Sequence, residues 1–329
     1  MKPPRANPTL HGHTEAALAL ARSTRGGRLP HAWLFCGPPG IGKATLAFRF
    51  GRWLLAGQPP GAVPLHVPEA DPVFRRIAAG SHPDLMVLQP QSEPGKRRII
   101  KVEDARAARG FLNYTAAEGG WRVVIMDEVD CMEQASSNTI LKTLEEPPPR
   151  TVLLLITASP GRLLPTILSR CRRLDLLALD DEAMARLLAE ALPDMPSPER
   201  EELARLAEGS PGRAMELAAG EGIALARLAE ATLLDLPRGM AAHALADRIA
   251  GRDGAIAFST FFGLLLRRLS KAVRETARGG TPAGWLAGRS LAAWVEAAEA
   301  VVRLVQETER LSLDRRQAVL VAMETLRGR

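Results

Sequence analysis

Ala32-Trp33-Leu34-Phe35-Cys36-Gly37-Pro38-Pro39-Gly40-Ile41-Gly42-Lys43-Ala44-Thr45 runs from five apolar residues straight into a glycine-rich turn. The turn, Gly37 to Lys43, has the spacing of a phosphate-binding loop: Gly, four residues, then Gly-Lys. Gly37, Gly40 and Gly42 let backbone N–H groups close around phosphate oxygens, and Lys43 is placed to reach the β/γ oxygens. The apolar run reads as a buried strand, and Ala44 to Leu55 as a helix. Strand, loop, helix is the setting such a loop needs, because the helix N-terminus adds its dipole to the anion site. One position departs from the pattern. The Ser or Thr whose hydroxyl ligates Mg²⁺ is replaced by Ala44, and Thr45 follows it. The chain reads as built to hold a nucleotide and poorly equipped to hydrolyse it.

Working outward, Thr14 to Ala21 reads as a helix ended by Arg25-Gly26-Gly27. Gly57 to Gly80 is rich in Pro and Gly without a clear period, which predicts a surface excursion. Leu85 to Leu88 reads as a strand, and Ile99 to Leu112 starts extended and becomes helical. Gly119-Gly120 is a turn before the strand Arg122 to Asp127, which ends in that acid. Gln134 to Glu145 is helical and halted by Pro147-Pro148-Pro149, and Thr151 to Thr157 is a β-branched-rich strand. Strands and helices alternate to about residue 176, which predicts a parallel sheet with helices on both faces. After Asp180 the texture changes to Ala/Leu/Arg/Glu helices separated by Gly and Pro breaks, such as Pro237 to Gly239 and Gly251 to Gly254. The expected division is an α/β domain over 1–176, a small helical lid over 177–222 and an all-helical domain over 223–329.

The 329 residues suffice for two or three cored domains, and 46% apolar with 24% charged residues excludes a disordered chain. The net charge of +6 fits a nucleic-acid or acidic partner, and equally fits a general taste for Arg. Cys36, Cys131 and Cys171 are scattered without a CxxC pair, which predicts reduced thiols in a cytoplasmic protein. Met1 to Leu10 has no apolar core, so no signal peptide is expected. The longest apolar stretch, Ala255 to Leu266, is too short to span a bilayer and reads as a buried helix.

Asp127 and Glu128 form the second half of the candidate site. An apolar strand delivers Asp127 to its C-terminal end, where α/β ligand sites lie. Asp127 would bind Mg²⁺ directly or through water, and Glu128 would orient or deprotonate an attacking water. Thr157, with Ser159 behind it, reads as a sensor of the γ-phosphate or as a hydroxyl capping a strand end. Arg170 could offer a guanidinium to a neighbour's phosphate, though spacing alone reads it as one surface arginine among many. Arg213, opening a helix after Gly209-Ser210-Pro211-Gly212, could reach a bound nucleotide or simply lie in solvent. His11 and His13 read as a local polar turn.

These pieces together resemble AAA+ clamp-loader subunits of bacterial DNA polymerase III, and within them the delta-prime group. The resemblance is carried by His31 to Phe35, the loop Gly37 to Lys43, Ser81-His82-Pro83-Asp84 and Asp127-Glu128-Val129-Asp130. Asn138 to Pro148, which contains Leu144-Glu145-Glu146-Pro147-Pro148, and Thr166 to Cys171 complete it. It covers the first domain almost throughout, and past about residue 225 it rests mainly on helical character. It implies an AAA+ P-loop domain, a helical lid and a C-terminal collar that holds a five-subunit ring. That ring opens a sliding clamp and places it on primed DNA. It implies partners of the gamma/tau and delta type, and Arg170 as an arginine finger acting in trans on ATP of an adjacent motor subunit. ATP would be bound through Gly37, Gly40, Gly42, Lys43, Thr45, Asp127, Thr157 and Arg213 without efficient hydrolysis.

Two departures qualify the resemblance. Many relatives carry four cysteines as a zinc module between the first helix and the Ser-His-Pro-Asp block. Gly57 to Gly80 has none, so zinc is not expected. Ala44 puts Mg²⁺ coordination in doubt, which suits the rigid, non-hydrolysing delta-prime members. An ATP-hydrolysing motor subunit of gamma/tau type is the alternative, favoured by Glu128 and opposed by Ala44 and the missing cysteines. A P-loop small-molecule kinase has no use for the helical second half. The chain is expected to be no polymerase itself and at most a weak ATPase, with no membrane partner.

Overall fold

The computed structural model describes residues 2–24, 29–91, 98–236, 242–251 and 254–328. The chain divides into two compact units, the first running through Met215 and the second from Glu216 onward.

The first unit is a five-stranded parallel sheet in the order β2-β3-β4-β1-β5, with β1 Ala32–Cys36, β2 Leu85–Leu88, β3 Arg122–Met126, β4 Thr151–Thr157 and β5 Arg172–Asp175. The three central strands are wholly buried, because helices cover both faces. Side chains alternate between those faces. Trp33, Phe35, Val123, Ile125, Leu154 and Ile156 pack with Leu46, Phe50 and Leu54 of α2 (Lys43–Leu55). Leu34, Val124, Met126, Leu153 and Leu155 face the other way. They pack with Ala105 and Ala108 of α4 (Val102–Asn113) and Ile140 and Leu144 of α5 (Gln134–Glu145). The expected parallel α/β sheet with helices on both faces is met, and β2, β4 and α5 have the bounds read from the sequence.

Helix α1 is Thr14–Thr24, and the expected Arg25-Gly26-Gly27 terminator lies outside the described residues, as does Pro237 to Gly239. The segment 57–80 is not only a surface excursion. It contains α3 (Pro72–Ala79), whose Phe74 and Ile77 are buried. Asp71 caps α3 by accepting from Val73 N–H at 2.7 Å, Pro72 opens the helix, and Gly80 closes it at φ 75°. Those are ordinary start and stop signals hidden in a Pro/Gly-rich stretch.

Beyond α6 (Pro165–Leu168) and β5, helices α7 (Asp181–Ala191) and α8 (Ser197–Ala207) pack together within the first unit. Helix α9 (Pro211–Ala218) carries the boundary between units. The second unit is helical: α10 (Gly222–Asp235), α11 (Ala242–Ile249), α12 (Gly254–Ala277), α13 (Leu291–Leu311) and α14 (Arg315–Arg327). Helix α12 is amphipathic rather than buried throughout. Phe258, Phe261, Phe262 and Leu265 are in the core, whereas Ile256 is 76% exposed. Among the described residues no helix is long and apolar enough to cross a membrane.

Candidate functional site

The site lies at the C-terminal ends of β1, β3 and β4. Strand β1 ends at Cys36 and hands the chain to the loop. Gly37, Gly40 and Gly42 all sit at positive φ (149°, 75° and 102°), where side chains are disfavoured. Helix α2 begins at Lys43, directly after Gly42, so its N-terminal dipole faces the loop. Lys43 is buried, and its Nζ donates to Gly37 O at 2.7 Å and Pro38 O at 2.6 Å. An ammonium has three donors, so these two bonds leave a third for an anion. Burial lowers the Lys43 pKa, and the carboxylates of Asp127, Asp130 and Glu128 oppose that shift.

Asp127 follows β3. Its Oδ1 accepts from the N–H of Glu128 at 3.0 Å. Burial and the neighbouring Glu128 charge push its carboxyl above the ordinary range, with Lys43 pulling the other way. Glu128 has left-handed backbone (φ 51°), and its Oε1 accepts from Arg98 Nη2 at 2.9 Å. The carboxylate expected to serve a water is thus engaged by an exposed guanidinium. Ala44 is the second residue of α2. Thr45 is one residue further, about 100° round the helix, so its hydroxyl does not occupy the position Ala44 vacates.

Thr157 ends β4 fully buried. Its Oγ1 donates to Asp130 Oδ1 at 2.7 Å and accepts from Ser159 N–H at 3.0 Å. The hydroxyl therefore orders the acidic turn and the β4 exit at once, and Ser159 serves through its backbone. Arg213 lies on α9, its Nη1 3.7 Å from Glu208 Oε2. The residue before it donates Gly212 N–H to Gly40 O at 2.9 Å, so the Ser210–Arg213 segment reaches the loop directly.

Arg170 is elsewhere. Its Nη2 is 2.9 Å from Glu145 Oε1, and its Nη1 donates to Thr166 O at 3.1 Å. The side chain is 35% exposed. The two sequence blocks most typical of the resemblance, Leu144 to Pro148 and Ser169 to Cys171, meet in this ion pair.

Four contributors escaped the sequence reading. His13 does more than form a local turn: its Nε2 donates to Ile41 O at 2.8 Å. Ser210 Oγ donates to Pro39 O at 3.1 Å, Gly212 bonds Gly40, and Asp130 holds Thr157. Only Asp130 carried a local signal, its place in the Asp-Glu-Val-Asp run. His11 Nε2 lies 3.5 Å from Glu190 Oε2.

A DNA polymerase III subunit delta' from Pseudomonas aeruginosa is 41% identical over 203 residues, which covers 61% of this chain and 60% of that protein. DNA polymerase III subunit tau from Escherichia coli is 35% identical over 220 residues, 64% of this chain and 33% of that protein. The chain therefore matches less than two thirds of the length of either relative. A DNA polymerase III gamma subunit-related protein from Thermotoga maritima aligns over 95% of this chain and 99% of its own, at 19% identity and TM-score 0.48. The model of the family described as "DNA polymerase III, delta subunit" matches residues 12–180. That match takes in the whole sheet, its phosphate loop and its acidic turn, and spans just over half of the sequence, so the chain belongs to the DNA polymerase III delta subunit family.

Proposed function

We propose that the chain is a delta-prime-like subunit of a DNA polymerase III clamp loader, working in the cytoplasm. In this reading it helps a multi-subunit ring load the sliding clamp on primed DNA, beside subunits of gamma/tau and delta type. The division into a P-loop domain (1–176), a lid (177–222) and a collar (223–329) belongs to the same reading. So does a salt-sensitive, sequence-blind contact of basic residues with the DNA backbone.

The observation that carries the proposal is the mismatch between the two halves of the pocket. The loop fits a nucleotide: three glycines at positive φ, a buried lysine bonded to the loop, and a helix N-terminus. Gly37, Gly40, Gly42, Lys43 and Thr45 would hold the phosphates, with Thr157 and Arg213 at the margins. The residues do not fit Mg²⁺ equally well. A methyl at Ala44 replaces the hydroxyl ligand, burial pushes the Asp127 carboxyl above its ordinary range, and Glu128 is held by Arg98. ATP bound here would stay largely intact. Arg170 is the residue with work to do outside its own chain. It is about a third exposed and steadied by Glu145, and it would stabilise transition-state charge on a neighbour's ATP.

The motor reading keeps one specific support, the Asp127-Glu128 pair. Steady-state ATP turnover of the purified chain separates the two. Fluorescent nucleotide bound without turnover supports the quiet subunit. Vigorous turnover abolished by Glu128→Gln supports the motor. Co-purification from cells tests the partners: recovery of other clamp-loader subunits is expected, and a solitary monomer contradicts the proposal.

A further inference from the structure

The backbone carbonyls of the phosphate loop are all spoken for. Gly37 O and Pro38 O accept from Lys43 Nζ, at 2.7 and 2.6 Å. Pro39 O accepts from Ser210 Oγ at 3.1 Å, Gly40 O from Gly212 N–H at 2.9 Å, and Ile41 O from His13 Nε2 at 2.8 Å. Gly42 O begins the helix by accepting from Leu46 N–H at 3.0 Å. Six consecutive carbonyls thus have donors, three of them on segments far away in sequence.

This matters because an anion site of this kind works only if amides face the ligand and carbonyls do not. A loop of two prolines and three glycines has little intrinsic reason to choose that orientation. Three external donors on Pro39, Gly40 and Ile41 fix the choice.

The geometry points to His13, Ser210 and the Gly212 amide as a three-point latch that holds the phosphate loop in its nucleoside-polyphosphate-binding shape and ties the Ser210–Arg213 segment to it. His13 and Ser210 are positioning residues: they act through loop carbonyls, on the side away from the ligand. The fit is close. A Cβ on Gly212 would stand 2.9 Å from Gly40 Cα, and one on Gly40 would stand 2.4 Å from Ser210 Oγ. Burial keeps the His13 imidazole below its ordinary range, so at neutral pH it is the uncharged form, with hydrogen on Nε2, that serves Ile41 O. A bound nucleotide and the Ser210–Arg213 segment then become linked, since each favours the same loop conformation.

The inference rests on the nucleotide-holding reading above, and its test separates the two. Hydrogen exchange of the full chain, followed at residues 38–46 and 209–214 without ligand, reads the latch itself. His13→Ala and Ser210→Ala are each expected to speed exchange in the loop by roughly five- to tenfold, the worth of one hydrogen bond. Ser210→Ala is also expected to speed exchange at 209–214. His13→Gln and Ser210→Thr, which retain a donor, should restore protection, whereas loss of general stability would not be rescued this way. Unchanged exchange in both alanine variants, with far-UV circular dichroism intact, overturns the latch. Titration with a fluorescent ADP analogue reads the consequence, a matching five- to tenfold loss of affinity restored by the same two conservative variants. Wild-type protein that binds no nucleotide while the exchange result holds would sink the nucleotide-holding reading and keep the latch. Should a variant fail to fold, Gly212→Ala provides the second route, with the largest expected increase in exchange.

Discussion

The phosphate loop and the Arg170 segment are built on opposite plans. The loop leaves Pro38, Pro39 and Gly40 exposed, but it is anchored by buried Ile41 and Lys43, internally bonded and held from three directions, so it has little freedom to change shape. Arg170 sits at the end of a four-residue helix, a third exposed, with one carboxylate and two local oxygens as partners. The first arrangement suits holding a ligand. The second suits a guanidinium that exchanges one anionic partner for another at small cost, because an exposed ion pair is worth about 0–1 kcal/mol. Within one domain, rigidity is concentrated where catalysis is least equipped, and adaptability where a neighbour could use it.

The sharpest way to break this contrast is Arg170→Ala. In a reconstituted ring it is expected to lower ATP turnover at the adjacent site by about 10³-fold, with the melting temperature of the chain unchanged. An unaltered rate would make Arg170 an ordinary surface residue. Lys43→Ala comes next: loss of charge-assisted bonds to phosphate is expected to weaken nucleotide binding by about 10- to 100-fold, measured by titration. Thr157→Val tests the rigid side through stability. Removing the hydroxyl leaves the Asp130 carboxylate and the Ser159 N–H without their shared partner, and about 1–3 kcal/mol should be lost in chemical denaturation.

Asp127→Asn should act in the other direction. Its carboxyl is raised by burial and by Glu128, so the native state binds a proton more readily than the unfolded chain. Ionised Asp127 therefore costs stability once pH exceeds the unfolded-state value of about 4. The amide variant is expected to melt higher at about pH 7, with the advantage fading toward about pH 3, where Asp127 is neutral anyway. A lower melting temperature at neutral pH would contradict the burial argument. The smallest effect belongs to Glu145→Gln, which releases Arg170. Stability should change by less than about 1 kcal/mol, and the neighbour's turnover by less than tenfold.

The sheet was legible because its signals are local. Trp33 to Cys36, Arg122 to Met126 and Thr151 to Thr157 are apolar runs with turn residues at their ends, and each became a buried strand. Helix α3 was legible and missed. Asp71-Pro72 and Gly80 mark its ends, but prolines and glycines earlier in the stretch drew attention to irregularity instead. The latch was not legible. Ser210 meets Pro39 across 171 positions and His13 meets Ile41 across 28, and no spacing rule joins residues so far apart. The Arg170–Glu145 pair lies between these cases, since both blocks stand out in sequence while their meeting depends on α5 packing against α6. Local chemistry thus named the phosphate loop, and tertiary structure supplied what shapes it.

The central claim is that this chain's own pocket is catalytically quiet while its guanidinium serves another. The direct measurement is ATP turnover of a reconstituted ring in which only this chain carries Glu128→Gln, set beside a ring in which only this chain carries Arg170→Ala. The account predicts an unchanged rate for the first and a collapse at one site for the second. A collapse with Glu128→Gln and full activity with Arg170→Ala would contradict it.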